Sequence, residues 1–398
     1  MNVFYVGFYY PNSSMIDDLL RLHSIVDFPG YTFQTALLSG LDYYYPDLKV
    51  ISSAFMSAYP KNRKISFKKV AFSHNDKLNK RDVFTGLINL PIIKEVSKFV
   101  RIRKCLKDSI VKGEENYVIC YEAHTPFMLA IATLKKNLSK TCLIVPDLPD
   151  YMAENKNWLY LLAKKIDKRI INYTLKYFDC FALFSPHMIE KLEIGNKPWV
   201  HLEGIYKENT NVENVIKEHN KTILYTGNLG RTTGILDLLD AFMQIKSPNY
   251  RLWIRGNGTV KDEVLRRQKD DNRIVYYEPM SKEDLIKLQR RATVLVNPIR
   301  PSQKQTRYFF PSKTMEYLAS GTPTVMYKLD CLPEDYYSHV FFVERETAES
   351  LRDKLVESCE KSEGVLQKFG ESARNFILDE KNPIKQAGKI YNLLSSIH

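Results

Sequence analysis

The residues best suited to chemistry lie in three loops in the second half of the chain. The first, residues 225–234, reads Tyr-Thr-Gly-Asn-Leu-Gly-Arg-Thr-Thr-Gly and leads into a helix-like segment. Gly227 and Gly230 let the backbone approach a ligand, and the helix that follows offers free N–H groups and a favourable dipole. Arg231 adds a cation for charge-assisted hydrogen bonding, and Asn228 is assigned to the same site. The loop predicts phosphate binding, although a plain strand-to-helix turn would look similar.

The second loop is Arg255-Gly-Asn-Gly258, directly after the strand-like run Leu252-Trp-Ile254. We assign Gly256 to the same ligand, because a residue without a side chain permits close backbone approach. In isolation, an ordinary glycine-rich turn is the better explanation of this short pattern.

The third loop surrounds a Pro-Ser-Lys sequence and predicts a short helix. Pro311 at its start and Gly321 past its end frame that helix, and we expect Ser312 to cap it. Lys313 and Glu316 are one turn apart and can share a face. A cation near a helix N-terminus opposes the dipole, which indicates an anionic partner for Lys313. A carboxylate can accept two hydrogen bonds from a vicinal diol, so the pair suits a nucleotide sugar; an ordinary Lys–Glu surface pair is the alternative.

Short β-rich runs alternate with helical patterns along the whole chain, which predicts an α/β fold with parallel sheets. Strand-like runs begin at 2, 117, 141 and 180, and again at 222, 250, 274, 293 and 323. In such sheets ligands bind beyond the carboxyl ends of the strands, where the three loops lie. The polar stretch 203–221 reads as a linker, so we expect an N-terminal domain at 1–200 and a C-terminal domain at 205–375.

Length and composition agree with two globular domains. The chain has 398 residues, of which 44% are hydrophobic and 26% charged. Its six cysteines form no C-x-x-C pair, which predicts buried, reduced thiols and no zinc site. The N-terminus lacks a basic leader, and no apolar run reaches the roughly 18 residues of a membrane span. We therefore expect a cytoplasmic protein whose membrane contact is peripheral.

Most of the formal net charge of +12 comes from one stretch, 61–112, where fifteen basic and four acidic side chains leave +11. Part of it, 92–110, has helical periodicity, and 158–177 repeats the basic and apolar theme. One interpretation is two core-packed helices with solvated basic faces. We favour a surface that contacts anionic lipid. Nucleic acid is a third possibility, but no nucleic-acid motif accompanies the charge.

Taken in order, the three loops resemble the GT-B superfamily, and within it the retaining glycosyltransferase family 4, especially its bacterial capsule and exopolysaccharide members. The motifs are Gly-x-Leu-x-x-x-x-Gly-Ile-x-x-Leu-Leu-x-Ala-Phe, then Gly-x-Gly, then Pro-Ser-Lys-x-x-Glu-Tyr-Leu-Ala-x-Gly-x-Pro. The likeness is specific across 222–330. It is weaker in the N-terminal half, where it rests on Gly30 before a helix-like run Tyr31–Leu41, on Tyr121-Glu-Ala-His124 and on Val145-Pro-Asp147.

This resemblance implies a fold and several residue roles. The fold is two Rossmann-like domains that face each other across a cleft, with a C-terminal helix within 376–398 that crosses back to the N-terminal domain. Glu316 matches the glutamate that holds the donor ribose, and Arg231 the arginine on the diphosphate. His124 matches a histidine that reaches the donor sugar, and Gly30 a glycine whose backbone approaches the diphosphate.

Two positions depart from the family pattern. Tyr308 stands where the family has the first of its paired glutamates, and Thr233 stands where it usually has a lysine before Gly-Ile. Lys313 is a candidate for the missing cation, and backbone groups around 309–312 are candidates to replace the missing glutamate.

The function expected is that of a hexosyltransferase. It would move a sugar from a nucleotide-sugar donor to a glycan or lipid-linked saccharide, with retention, in bacterial surface polysaccharide synthesis. Stabilisation of the leaving diphosphate by the chain's own cations requires no metal and no cofactor. The rivals are a nucleotide-sugar 2-epimerase, which would not need the basic stretch, and a non-catalytic GT-B scaffold, which the missing glutamate favours.

Overall fold

The computed structural model describes residues 1–75, 81–148, 158–208 and 215–397. The chain divides into two compact units: unit 1 comprises Met1–Ile205 and Pro383–His398, and unit 2 comprises Tyr206–Asn382. The border expected at 375 falls inside the helix Glu363–Glu380, so unit 2 continues to Asn382. In the described parts of the expected linker, 203–208 and 215–220, there is no helix or strand.

Strands and helices alternate through both units. The strands are β1 (Asn2–Phe8), β2 (Lys49–Ser53), β3 (Ser66–Phe67), β4 (Val70–Phe72), β5 (Asp82–Phe84), β6 (Leu87–Ile88), β7 (Asn116–Tyr121), β8 (Lys140–Val145), β9 (Cys180–Leu183), β10 (Trp199–His201), β11 (Lys221–Thr226), β12 (Tyr250–Arg255), β13 (Ile274–Tyr277), β14 (Val294–Asn297), β15 (Thr324–Tyr327) and β16 (Phe341–Val343). The helices are α1 (Ser13–Arg21), α2 (Phe28–Tyr44), α3 (Ile93–Ser109), α4 (Thr125–Leu134), α5 (Trp158–Leu175), α6 (Ile189–Leu192), α7 (Ile235–Met243), α8 (Lys261–Asp270), α9 (Lys282–Arg291), α10 (Lys313–Ala319), α11 (Ala348–Cys359), α12 (Glu363–Glu380) and α13 (Pro383–Ser396).

Unit 1 is built on an eight-stranded sheet of order β10-β9-β8-β7-β1-β2-β5-β4. Its neighbours run parallel, except that β4 and β5 are antiparallel. Every residue of β7 is buried, as expected for a central strand covered on both faces. The predicted α/β class is therefore confirmed for this unit.

The last helix, α13, is part of unit 1 and packs on α2. Leu37 and Leu41 of α2 and Ile390 and Leu394 of α13 belong to one buried cluster with the sheet. The two helices approach closely at Gly40, where a Cβ atom would lie 2.0 Å from the Pro383 carbonyl oxygen. A glycine in mid-helix costs stability, but here it permits the contact that attaches the C-terminus.

Unit 2 has a six-stranded, fully parallel sheet of order β13-β12-β11-β14-β15-β16. Its main core joins Ile223 and Val294 of the sheet to Leu238 and Phe242 of α7 and to Leu355 of α11. Short apolar strands joined by helical crossovers form such a sheet because only this connection brings parallel strands side by side. The two units together are the two Rossmann-like domains that the sequence predicted.

Helix α3 has a buried side and an exposed side. Its inner face contains Ile102, Cys105 and Leu106, as the interpretation of a core-packed helix expects, and it also buries Lys98, with 2% of its surface accessible. The apolar residues at the start of the helical pattern are exposed instead: Ile92, Ile93, Val96 and Val100. The helical periodicity of 92–110 therefore does not correspond to a single buried stripe.

All six cysteines are buried and unpaired, as predicted. Within the described ranges, no helix is both long and apolar enough to cross a membrane.

A buried histidine links three parts of unit 1. His74 Nδ1 lies 2.6 Å from Asp82 Oδ2, and its Nε2 lies 3.0 Å from Asp42 Oδ1. The side chains of His74 and Asp82 are each 1% exposed. Burial alone would lower the pKa of His74, but hydrogen bonds to Asp42 and Asp82 outweigh it and raise that pKa to about 9. The network ties α2 and β5 to the segment that follows β4.

Because this pKa is raised in the folded state, the stabilisation is complete below the ordinary histidine pKa near 6.5 and is lost as the pH rises through about 9. We expect wild-type protein to lose about 3 kcal/mol of stability over this range, and His74→Gln to lose that dependence. Urea unfolding of both proteins at pH 6 and pH 9 measures the change in the free energy of unfolding. His219→Gln, which changes an exposed histidine, is the control. Equal pH slopes for wild type and His74→Gln would contradict this role.

Candidate active site

The three loops of interest meet at the point where the strand order of unit 2 reverses direction. Strand β11 has β12 on one side and β14 on the other, so the chain leaves the sheet in opposite directions after β11 and β14. Such a switch point leaves a crevice at the carboxyl ends of the strands, which is where open α/β sheets bind ligands.

The first two loops pack backbone against backbone. The Gly227 N–H donates to the Arg255 carbonyl at 3.0 Å, and the Leu229 N–H donates to the Asn257 carbonyl at 2.9 Å. A Cβ atom on Gly256 would lie 1.8 Å from the Gly227 carbonyl oxygen. A glycine is therefore required at position 256 because the two loops are in contact there. The Gly-x-Gly motif alone did not reveal this contact.

Helix α10 is fixed to the end of β11 by Tyr317. The Tyr317 hydroxyl accepts from the Thr226 N–H at 2.8 Å and donates to the Thr226 carbonyl at 3.0 Å. The tyrosine is fully buried. Since a buried polar group must be paired to avoid a desolvation cost, this double contact sets the position of α10 against the glycine loop.

Lys313 extends from the first turn of α10 to the glycine loop. Its Nζ donates to the Tyr225 hydroxyl at 3.2 Å and lies 4.4 Å from the centre of the Tyr225 ring. The Tyr225 hydroxyl in turn donates to the Asn228 carbonyl at 2.6 Å. A Cβ atom on Gly227 would lie 2.7 Å from the ammonium. The lysine thus lies directly beside the loop for which the sequence predicted phosphate binding.

Burial lowers the pKa of Lys313 to about 8, and Glu316 counters that shift. The ammonium is mostly charged at neutral pH and has lost part of its hydration. An anion placed beside it would restore the lost stabilisation of the charge.

Glu316 lies one turn after Lys313 and its side chain is exposed. The surrounding protein still removes part of the solvation of this carboxyl and raises its pKa, while Lys282, Lys313 and Arg255 counter the shift. Arg255 and Lys282 were not among the predicted site residues. The position of Arg255 at the end of a strand, directly before Gly-x-Gly, is the signal that could have identified it.

The other predicted residues of unit 2 lie in the same loops. Asn228, Arg231 and Ser312 are exposed. Gly230 has space, since the nearest atoms to a Cβ there are 3.6 Å away. Ser312 occupies the N-cap position of α10 but its side chain makes no capping hydrogen bond, so that expectation is wrong. The backbone of Ser312 is already helical, which points its hydroxyl away from the first free N–H groups.

Thr233 and Tyr308, the two residues that depart from the family pattern, both have structural roles. The Thr233 hydroxyl donates to the Gly230 carbonyl at 2.8 Å and closes the turn before α7. Tyr308 is buried, with 8% of its surface accessible. A tyrosine at the glutamate position therefore contributes to the core rather than presenting a carboxylate.

In unit 1, His124 lies at the carboxyl end of β7, at the N-cap position of α4. Its ring packs on Phe8 and Phe127 with centroids 4.7 and 4.8 Å away. Nε2 lies 3.1 Å from Glu95 Oε2, though not in hydrogen-bonding geometry. Burial, followed by Lys98, lowers the pKa of His124, and Glu95 counters the shift. At neutral pH the imidazole is therefore neutral.

Glu122, which belongs to the same Tyr121–His124 motif as His124, was not among the predicted site residues. It has a positive φ of 75°, which is uncommon for a residue other than glycine. Burial, then Asp27 and Asp147, raises the pKa of its carboxyl to about 8. The carboxyl end of β7 thus carries a strained, mainly neutral glutamate two residues before His124.

Gly30 lies within α2, which begins at Phe28 rather than after Gly30 as expected. Asp27 starts the helix, and its Oδ1 accepts from the Gly30 N–H at 3.1 Å. A Cβ atom on Gly30 would lie 2.0 Å from Asp27 Oδ2. In this structure the Gly30 amide is paired with a carboxylate, and its approach to a diphosphate stays a prediction.

Comparison with known proteins agrees with this architecture. Residues 220–361 match the family model described as glycosyl transferases group 1. Solved structures of similar fold include sucrose-phosphate synthase from Thermosynechococcus elongatus, with 14% identity over 100% of both chains and a TM-score of 0.62. Anabaena Alr3699/HepE in complex with UDP has 10% identity over 100% of both chains and a TM-score of 0.64.

A third similar structure is the apo form of the lipopolysaccharide outer core galactosyltransferase WaaB. It has 13% identity over 100% of this chain and 99% of its own, with a TM-score of 0.61. No curated protein sequence matches the chain. At such low identities the structural likeness shows the fold, and the chain has the GT-B fold of two Rossmann-like domains.

The contact at Gly256 can be tested without knowledge of the ligand. We expect Gly256→Ala to displace the glycine loop and to lower the stability of unit 2 by about 1–3 kcal/mol, because the new methyl group overlaps a carbonyl oxygen. The midpoint temperature of thermal unfolding measures this loss of stability. Gly230→Ala on the same loop has space and is the matched control. If both variants unfold at the same temperature, the loop-to-loop contact does not constrain this site.

Proposed function

We propose that the protein is a glycosyltransferase that uses a nucleotide-activated sugar. The observation that carries this proposal is the placement of the Lys313 ammonium beside Gly227, with Glu316 exposed one turn further along α10. A diphosphate at the glycine loop would contact the cation, and a ribose would meet the carboxylate. The match of residues 220–361 to a glycosyltransferase family supports the same assignment.

The chemistry follows from the charges at the loop. When the glycosidic bond to the phosphate breaks, negative charge develops on the departing diphosphate. Lys313, the exposed Arg231 and the N-terminus of α7 can stabilise that charge without reorganisation, because the fold already holds them in place. This mechanism needs no metal ion or cofactor.

Glu316 suits the ribose. An ionised carboxylate accepts hydrogen bonds from both hydroxyls of a diol. Its raised pKa means that the free protein holds the charge at some cost. The two hydroxyl donors would compensate for the lost solvation, so binding strengthens where the carboxylate is ionised.

We further propose that transfer retains the anomeric configuration, with the leaving phosphate taking the acceptor proton. His124 would then contact the donor sugar rather than act as a base. Its neutral imidazole, at the carboxyl end of β7, can accept or donate one hydrogen bond to a hydroxyl.

For the acceptor we propose a saccharide or lipid-linked saccharide of a bacterial surface polysaccharide, with the enzyme acting at the inner face of the cell membrane. The similarity to a lipopolysaccharide outer core galactosyltransferase supports this class. UDP is the first donor nucleotide to try, because a structure of similar fold contains it.

A non-catalytic GT-B scaffold is the second candidate, and one observation favours it. Tyr308 is buried at the position where catalytic relatives of family 4 carry a glutamate. Detection of donor hydrolysis or transfer separates the two. A nucleotide-sugar 2-epimerase would instead convert its donor without an acceptor.

The ribose contact is tested by Glu316→Ala. We expect it to weaken UDP binding about 10- to 100-fold, because hydrogen bonds to a charged group contribute roughly 1.5–3 kcal/mol. Isothermal titration calorimetry measures the affinity. Glu283→Ala, an exposed glutamate on α9, is the control. Unchanged affinity in folded Glu316→Ala would refute the assignment.

The sugar contact is tested by His124→Ala. UDP carries no sugar, so we expect UDP affinity to change less than twofold while turnover falls about tenfold or more. Steady-state rates and UDP titrations of the same variant test this contact. His187→Ala serves as the control, because His187 is another partly exposed histidine of unit 1. Wild-type turnover in His124→Ala would remove this residue from the site.

A further inference from the structure

Helix α3 places an ion pair beside the His124 ring. Lys98 Nζ lies 3.2 Å from Glu95 Oε2 and 3.3 Å from Glu95 Oε1. Only 3% of the Lys98 side chain is accessible, whereas Val96 and Val100 of the same helix are exposed. A buried ion pair adds little to stability, because the loss of hydration offsets the attraction between the charges. Stability alone therefore gives no reason to bury this lysine.

The carboxylate of the pair also lies next to the histidine. Glu95 Oε2 is 3.1 Å from His124 Nε2. Burial alone would raise the pKa of Glu95, but His124, Lys98 and Lys94 outweigh it and hold that pKa far below its usual range. Glu95 is therefore ionised at neutral pH, and an ionised carboxylate can only accept hydrogen bonds.

The plane of the ring is fixed by different contacts. The His124 ring packs on Phe8 and Phe127, and Lys98 Nζ lies 4.9 Å from the centre of the Phe8 ring. Packing on aromatic rings holds the plane of the imidazole but does not select which nitrogen carries the proton. Glu95 does select it, although the contact is not aligned as a hydrogen bond, because a lone pair on Nε2 would face a negative charge at 3.1 Å.

The other ring nitrogen is the one that a ligand can reach. Nε2 is inaccessible to solvent, although 21% of the His124 side chain is accessible. Any hydrogen bond to a ligand therefore has to be made by Nδ1. A neutral imidazole has one N–H and one lone pair, so a proton on Nε2 leaves Nδ1 as an acceptor.

We propose that Glu95 is a positioning residue for His124: it holds the proton on Nε2, so that Nδ1 accepts a hydrogen bond from a hydroxyl group of the sugar. This rests on the proposed function, in which His124 contacts the donor sugar, and it fixes the direction of that hydrogen bond. A lone pair attracts a hydroxyl proton and repels a carboxylate or phosphate oxygen. The contact therefore selects a sugar with a free hydroxyl group at this position over one that carries a carboxylate there.

Lys98 keeps the ring neutral in spite of the nearby carboxylate. After burial, Lys98 is the largest cause of the lowered pKa of His124, and Glu95 counters the shift. A protonated ring would have two donors and no acceptor, so Nδ1 could not accept from a hydroxyl. Burial lowers the pKa of Lys98 to about 8, and Glu95 counters that shift, so the ammonium is mostly charged at neutral pH.

Three further titratable groups in the described part of unit 1 lie near this pair. Lys94 Nζ is 3.5 Å from Glu95 Oε1. Asp167 on α5 accepts a hydrogen bond from the Thr125 hydroxyl and raises the pKa of His124 less than Glu95 does. Glu122 is mainly neutral, as described above. Glu95 and Lys98 are therefore the charges that dominate at the ring.

The position of the ring proton can be measured without any activity. In full-length protein with nitrogen-15-labelled histidines, long-range proton–nitrogen NMR distinguishes the nitrogen that carries the proton, and His124→Gln assigns the signal. We expect wild type at pH 7 to carry this proton on Nε2. Glu95→Gln should lose the preference, because a side-chain amide can donate as well as accept.

The two charges should also change the pKa of His124 in opposite directions. Glu95→Gln removes a group that raises this pKa and should lower it, whereas Lys98→Met removes a group that lowers it and should raise it. An ion pair with a purely structural role would not give opposite shifts. Asp108→Asn, which changes an exposed acid on the same helix, is the matched control.

Circular dichroism verifies that the variants fold. Glu95→Gln leaves Lys98 buried without its carboxylate, which is costly. If that variant does not fold, the double variant Glu95→Gln/Lys98→Met replaces it, because it leaves no unpaired buried charge. The double variant should likewise lose the preference for a proton on Nε2.

Turnover connects the proton to the proposed reaction. UDP-glucose, UDP-galactose and UDP-N-acetylglucosamine are the donors to try, and Glu95→Gln should lower kcat about tenfold or more with UDP affinity unchanged. A wild-type proton on Nδ1, or an unchanged proton position and kcat in Glu95→Gln, would overturn the proposal. If the proton lies on Nε2 and depends on Glu95 but wild type turns over no donor, the proposed function fails while the positioning of His124 by Glu95 stands.

Discussion

The arrangement of unit 2 depends on a partly buried cation at a backbone loop. Lys313 Nζ can approach Gly227 only because that residue has no side chain, and the ammonium is held there by the Tyr225 hydroxyl. Removing a charge from water is costly, and a tyrosine ring and hydroxyl compensate only in part. The lowered pKa of Lys313 reflects this balance. A fold that maintains such a charge has a site where an anion is stabilised more strongly than in water.

The rest of the second unit supports that placement. Tyr317 fixes α10 to Thr226, and Gly256 allows the second loop to lie against Gly227. Through these contacts within the protein, each residue determines where Lys313 and Glu316 stand. Electrostatic stabilisation of a leaving group requires that the stabilising groups be held in position, because a displaced hydrogen-bond donor loses most of its effect.

Much of the fold could be predicted because the determining signals are local. The position of α10 and the strands from β11 to β15 follow from short apolar runs and from flanking proline and glycine. The inner face of α3 could be predicted only in part. Periodicity identifies apolar positions on a helix but does not say which of them the protein covers, and α3 buries Lys98 together with Ile102 and Leu106 while Val96 is exposed. The sequence marks Arg255 only by its position before Gly-x-Gly; its proximity to Glu316 arises from strand order, which has to be seen in the structure.

Helix α3 connects two properties of unit 1 that the sequence presented separately. Its outer face carries Val96 and Val100, and Glu95 and Lys98 of the same helix act on the His124 imidazole. Burial is the main cause that lowers the pKa of His124; Lys98 lowers it further, and Glu95 counters the shift. The packing of the ring on Phe8 and Phe127 removes it from water, and Phe8 belongs to a strand more than 100 residues away in the chain. The neutral state of this histidine therefore arises from the tertiary structure, which the motif around His124 does not display.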